Sequence, residues 1–350
     1  MEKDKETISQ TKFSVLDLVP VVQGNSIKKS IDNSVELAQK VEELGFERFW
    51  ISEHHNMESI VSSATVVLLG HIAQATSHIR IGSGGIMLPN HAPLVVAEQF
   101  GTLESIYPGR MDLGLGRAPG TDQKTAMALR RNRQESVEDF PNNVQELQRF
   151  FSAENKNAAV RAIPGEGLDV PLYLLGSSTF SAHLAGVLGL PYAFASHFAP
   201  THLHSALQIY HEKFEESKQL KKPYSIACVN VIAAETDEEA ERLATSQKQF
   251  ALGIIRNERK PMPPPVDNME ELWNEGEKAT IQQMMHYSFI GSEETIRKKI
   301  TAFVEKTRVN EVMVVSHIYD HDERLKSYEI LSRLYKSPAK NPFFDDSKIS

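Results

Sequence analysis

Between Ile79 and Asp122 the chain reads strand, helix, strand, with connections so short that only a right-handed parallel crossover fits them. Ile79-Arg-Ile-Gly-Ser-Gly-Gly-Ile-Met-Leu-Pro89 is a strand stopped by proline. His91 to Tyr107 has helical spacing, with Val95, Val96, Phe100, Leu103 and Ile106 available for one face. Met111-Asp-Leu-Gly-Leu-Gly-Arg117 is a second strand, rich in glycine and ending on a lone arginine. A parallel unit of this kind needs further units on either side, because both faces of its sheet must be covered.

The rest of the chain supplies them. Strands are predicted at Phe13–Val19, Phe46–Glu53, Val170–Leu175, Pro191–Ser196, Ser225–Ala233 and Glu311–Ser316. Amphipathic helices follow, among them Ser30–Glu43 with Gly45 as its C′ residue, and Ala64–Ala75 capped by Ser62 or Ser63. Others are Asp237–Leu252, Glu293–Thr307 capped by Ser292, and Asp322–Tyr335. A helix is also expected near Gln134–Phe151, after a basic stretch at Arg130, Arg131 and Arg133. Eight strand–helix units predict an α/β chain closed into a (β/α)8 TIM barrel. We expect one domain over 1–350, with its core at about 13–335 and polar tails at 1–12 and 337–350. Residues 256–285 break the rhythm, and Pro261-Met-Pro-Pro-Pro265 excludes both helix and central strand. A lid or excursion before the last strand is the economical reading. An open nucleotide-binding sheet is disfavoured, because Gly114-Leu-Gly116-Arg-Ala-Pro119 has proline where the dinucleotide fingerprint needs its third glycine.

A net charge of -8 and the lack of a basic cluster with interleaved aromatics weigh against nucleic acid or an anionic membrane as partner. The single cysteine, Cys228, excludes an intramolecular disulfide and reads as a small buried hydrophobe. The N-terminus is charged and polar, and no apolar run approaches the ~20 residues of a membrane span. A cytoplasmic protein is expected.

Barrels of this kind carry chemistry at the C-terminal ends of their strands. Those ends bring Glu53, His54, His55, His91, Arg117, Gly176–Ser178, His197 and His317 together. Adjacent strand residues point to opposite sides, so His54 and His55 are unsuited to share a metal, and no metal site is expected. One of them is suited to proton transfer. Ser177, Ser178 and Ser181 at a strand-to-helix transition offer hydroxyls beside free backbone N–H groups, which suits phosphate. They could equally only cap the helix. Arg117 would add a bidentate charge. Ser83-Gly84-Gly85 within a strand reads as a bulge or as close backbone approach by a flat ligand. Asp17, Arg110 and Asp112 read as structural.

Trp50-Ile-Ser-Glu-His-His55, Ile81-Gly-Ser-Gly-Gly-Ile-Met-Leu-Pro89, Pro108-Gly-Arg-Met-Asp-Leu-Gly-Leu-Gly-Arg117 and Gly176-Ser-Ser178 together resemble the bacterial luciferase-like flavin monooxygenase family. The likeness extends from Phe13 to Tyr335 and is nearer to its single-chain branch than to luciferase. It implies a barrel that binds FMN in its mouth, with His54 as the catalytic histidine. Arg117, Ser178 and Ser181 would hold the phosphate, with Ser177 beside them, and Ser83 and Gly84 would meet the flavin at a non-proline cis peptide. Reduced FMN from a separate NAD(P)H:flavin reductase would react with O2 through a C4a-peroxyflavin to oxygenate a small organic substrate. A homodimer is expected for the family. Departures are Gly116 in place of luciferase's reactive cysteine, and a second phosphate arginine for which Arg130, Arg131 and Arg133 all compete. Two other readings stay open: F420-dependent hydride transfer on the same fold, and a non-catalytic flavin-binding protein.

Overall fold

The computed structural model describes residues 8, 11–118, 120–129, 137–258 and 260–335. Nine parallel strands are present among them: β1 (Lys12–Asp17), β2 (Arg48–Ile51), β3 (Arg80–Met87), β4 (Met111–Gly116), β5 (Leu172–Gly176), β6 (Tyr192–Phe194), β7 (Ser225–Ala233), β8 (Ser288–Gly291) and β9 (Glu311–Val315). Strands β1 to β7 and β9 close on one another through the β6–β7 and β7–β9 pairings, which makes the eight-stranded barrel. The ring is the expected TIM barrel.

The ninth strand is a correction to the sequence reading. Strand β8 pairs with Asn230–Ala233 of β7 outside the closed ring. It is only four residues long and follows a segment read as irregular. That segment is itself partly regular, with a helix at Glu275–Met284 whose start is held by a reciprocal box between Asn274 and Glu277. Its earlier part is tied down by backbone bonds between Val21 and Met262 and between Gln23 and Met262.

Alternation along each strand separates two cores. Phe49 and Ile51 of β2 face the helices in the large outer cluster, whereas Trp50 joins Leu16, Tyr173, Ile226, Cys228 and Met313 inside the barrel. Arg48, also on β2, enters the barrel floor. It donates to Glu311 at 2.9 Å, to Asp112 at 2.7 Å and to the Tyr173 hydroxyl at 2.8 Å, while Arg80 takes the other Asp112 oxygen at 2.6 Å. Buried charge is tolerated here because each carboxylate has a cation and further donors. Asp17 likewise accepts from Arg324, Ser34 and the Val19 N–H. The guanidinium of Arg110 is spent on Ile79, Ala73 and Thr76. These three residues hold the frame.

Several helix ends depart from the sequence reading: the helix expected from Ser30 starts a turn earlier at Ile27, capped by Ser26, and the one expected to reach Tyr335 ends at Ser332. Gly45 does adopt φ 78° after the helix Ile27–Glu43. The helix Thr65–Ala75 starts from Ala64 with no side-chain cap, because Ser62 turns its hydroxyl to Ser52 instead. Ser292 precedes the helix Glu293–Thr307, but its side chain does not cap; its own N–H donates to Asp237.

Candidate active site

Loops at the C-terminal ends of the strands enclose a cavity of about 420 Å³. The floor is the inner core, with Leu16, Trp50, Ile226 and Met313 reaching it. Three successive inward positions of β7, namely Ile226, Cys228 and Asn230, form one wall. Burial pushes the Cys228 thiol well above its ordinary value, so it stays protonated and inert.

His54 and His55 part company, as strand geometry requires. His54 lines the cavity, with Nδ1 3.4 Å from the carbonyl oxygen of Gly120. Burial lowers its pKa, so the imidazole is neutral at pH 7. His55 turns away, and its Nε2 meets Glu53 at 2.9 Å. His91 reaches the same carboxylate at 2.9 and 3.0 Å, and the Met87 N–H donates to it at 3.1 Å. Burial alone would raise the Glu53 carboxyl. The donors from His55, His91 and Met87, and the charge of His91, outweigh it and hold Glu53 at about 2. Glu53 thus ties the end of β2 to the end of β3 on either side of His54.

Arg117, one residue beyond β4, lies on the cavity wall with its guanidinium carbon 4.1 Å from the Phe180 ring centroid. Among the described residues no carboxylate lies within ion-pair distance of it. Phe180 belongs to the helix Thr179–Val187, whose N-cap is Ser178. Ser177, Ser178 and Ser181 all line the cavity, and the Ser178 hydroxyl makes no capping bond. One expected cation and three expected hydroxyls therefore share one wall. Arg130, Arg131 and Arg133 lie outside the described residues.

Gly84 lines the cavity, but Ser83 does not. The Ser83 hydroxyl is fully buried and donates to the Gly114 carbonyl at 2.8 Å. Ser83 stays in register with Leu113, and pairing slips only between Ser83 and Ile86. The non-proline cis bond accordingly falls at Gly84–Gly85, one bond later than expected at Ser83–Gly84. Gly116 has a steric reason: a Cβ there would lie 2.7 Å from the sulfur of Met87.

His197 and His317 also line the cavity, both at strand ends named from the sequence. Burial and the neighbouring histidines bring His197 down to about 3, and burial with the Arg324 charge brings His317 to about 4. Both are neutral. The residues that the sequence reading missed come from the helix Asp237–Ile255. Gln247, Phe250, Ala251 and Ile254 recur at helical spacing and cover the chamber from above. Met284 and Met285 join them.

The comparisons with known proteins agree with this geometry. Residues 11–311 match the model of the luciferase-like monooxygenases, and the chain belongs to that family. It is 52% identical to the uncharacterized protein YvbT of Bacillus subtilis (strain 168) over 93% of this chain and 97% of that one. Identity to a luciferase-like monooxygenase of Escherichia coli (strain K12) is 47%, covering 91% and 95%. An N-acetyl-S-alkylcysteine monooxygenase of Bacillus subtilis is 32% identical, covering 92% and 97%. Among solved structures, apo-MsnO8 superposes with a TM-score of 0.83 at 33% identity, covering 93% and 98%. Two others share the fold at lower identity. The oxygenating constituent of 3,6-diketocamphane monooxygenase of Pseudomonas putida, in complex with FMN, has a TM-score of 0.68 at 18% identity, covering 93% and 97%. An F420-dependent secondary alcohol dehydrogenase has a TM-score of 0.66 at 15% identity, covering 94% and 100%.

Proposed function

We propose that this monooxygenase uses reduced FMN and O2 to oxygenate a small organic substrate in the chamber above the barrel floor. The observation that carries the reading is Arg117: a cation without a carboxylate partner among the described residues, set beside Ser177, Ser178 and Ser181 at a helix start. That donor set fits the terminal phosphate of FMN. Gly84 offers a wall without a side chain for a flat ring; a Cβ there would meet Leu16 at 2.6 Å.

When bound, reduced FMN supplies the electrons that split dioxygen, one atom passing to the substrate and the other leaving as water. The chain's own residues do the rest. The carbonyl of Gly120 only accepts, so Nδ1 of His54 carries the imidazole proton and Nε2 offers a lone pair to the chamber. His54 can thus take and return a proton beside the reacting atoms. Leu16, Phe250, Ile254 and the methionines exclude water, which favours productive use of oxygen over release of peroxide. The family resemblance implies that the reduced flavin would come from a separate NAD(P)H:flavin reductase. The relatives named as monooxygenases favour oxygen chemistry over hydride transfer by F420.

The test mixes the protein, loaded with reduced FMN, with oxygenated buffer and follows the return of oxidised flavin by stopped-flow absorbance. We expect slower return than for free flavin, and faster return in His54→Ala. Identical single-phase returns for free flavin, wild type and variant would overturn the reading.

A further inference from the structure

Gln247 is out of place on its own helix. Positions 247, 250, 251 and 254 form one stripe facing the chamber, and the other three are Phe250, Ala251 and Ile254. Hydrophobic packing alone would put leucine or methionine at 247. Gln247 is 6% exposed, and its side-chain oxygen is buried with no hydrogen-bond partner. A buried carbonyl oxygen without a donor is costly to the folded protein unless a donor from the chamber reaches it. Nδ1 of His197, on the same chamber, is buried and unpartnered as well.

The rest of the lining narrows what that something is. Among the described lining residues, Arg117 is the only one with a formal charge at neutral pH, and the flavin reading commits it to phosphate. Among the described residues there is no lysine, aspartate or glutamate on the wall. A charged substrate would enter without a counter-ion and lose its hydration, which is strongly unfavourable. Five methionines, Met57, Met87, Met284, Met285 and Met313, give the wall a soft surface that adapts to apolar shape.

We propose that Gln247 is a specificity-determining residue that hydrogen-bonds an uncharged, chiefly apolar substrate through a hydroxyl or amide N–H. The proposal rests on the chamber's being the substrate site of the flavin reading, which it deepens by naming the substrate class. Gln247 acts on binding and discrimination; it transfers no proton and forms no bond. Gln247 belongs to the helix Asp237–Ile255, separate from the elements that carry Arg117, Ser177, Ser178 and Ser181.

Three aryl thioethers of one shape provide the test: 4-(methylthio)benzyl alcohol, 4-(methylthio)toluene and 4-(methylthio)benzoate. Binding is measured by calorimetry to the full chain, with and without FMN, in wild type, Gln247→Met and Gln247→Leu. Circular dichroism checks that each variant folds. The alcohol should bind wild type about fivefold more tightly than the toluene analogue, the ratio expected from one net hydrogen bond. With FMN bound and Arg117 engaged, the benzoate should bind at least about 100-fold more weakly than the alcohol. Both variants should lose the preference for the alcohol while the affinities for the toluene analogue and for FMN stay unchanged.

Retention of the alcohol preference in folded Gln247→Met would overturn the assignment of the contact. Benzoate binding as tight as the alcohol, or no binding of either neutral probe, would overturn the substrate class. A fall in FMN affinity in the variants would show that the carboxamide serves the flavin instead. If wild type binds no FMN, the flavin reading fails, yet the alcohol preference and its loss can still be read on the flavin-free protein.

Discussion

The guanidinium of Arg117 lies over the Phe180 ring, its central carbon 4.1 Å from the ring centroid. The contact joins the end of β4 to the first turn of the helix that follows β5, and holds the cation at the serine-rich helix start. Stacking of this kind leaves the N–H donors in the plane of the fork free for an anion.

The first prediction concerns that cation. Arg117→Gln should weaken FMN binding about 10- to 100-fold, the range for losing a charge-assisted pair. Binding of riboflavin, which lacks the phosphate, should not change. Phe180→Leu should weaken FMN only about two- to fivefold, since it frees the arginine without removing it. Fluorescence titration of the flavin reads all three values, and equal losses for FMN and riboflavin would argue against a phosphate contact.

A second prediction follows from Glu53. Its carboxyl is held at about 2, below the ordinary 4.5, so it binds its proton less readily when folded than when unfolded. The sign is therefore that of a depressed acid: the stabilisation is present above about pH 4.5 and is lost as pH falls toward 2. Its size is about 3 kcal/mol. Glu53→Gln should lower stability in urea melts at pH 6, and the gap between variant and wild type should narrow as pH falls below 4.5. A gap independent of pH would contradict the assignment.

His54 yields a third. Burial keeps it neutral, so a rate that depends on neutral His54 should not begin to fall at pH 6.5, where an exposed imidazole titrates. Oxygenation measured from pH 8 downward should stay flat through pH 6.5 and decline only below it. In His54→Ala the rate should drop about 100-fold, and that acid limb should vanish. An inflection at 6.5 or above would mean that the imidazole is not desolvated in the working enzyme.

The glycines of β3 supply a stability prediction. A Cβ at Gly85 would stand 2.7 Å from the backbone oxygen of Gly114 on the adjacent strand, where no side chain can swing aside. Gly85→Ala should cost about 1–3 kcal/mol, visible as a lower urea midpoint with an unchanged slope. A neutral effect would mean that β3 and β4 can separate there at little cost.

Particular residues show why parts of the molecule could be read in the sequence and others could not. The barrel was readable because each parallel strand is buried on both faces and stands out as an apolar run followed by an amphipathic helix; Ser225–Ala233 matches β7 at both ends. Strand β8 was not, because four residues beside a proline-rich excursion carry no period of their own. The helix Glu275–Met284 did leave a trace, since Asn274 and Glu277 stand at capping-box spacing. At the site, strand ends pointed to His54, Arg117, Ser177, Ser178, Ser181, His197 and His317, all of which line one cavity. Ser83 was grouped with them because sequence shows position along a strand; the direction its hydroxyl takes was settled by the Gly114 carbonyl across the ladder. Gln247 was passed over because glutamine in a surface helix is ordinary. Only the fold shows that its stripe faces inward.

The central claim is that this chamber is built for FMN and not for a deazaflavin. The most direct test is an anaerobic competition titration in which reduced FMN and reduced F420 are offered together to the purified protein at equal concentrations. The account predicts that FMN occupies the site and that excess F420 fails to displace it. Displacement of FMN by F420, or tight binding of F420 alone, would contradict it.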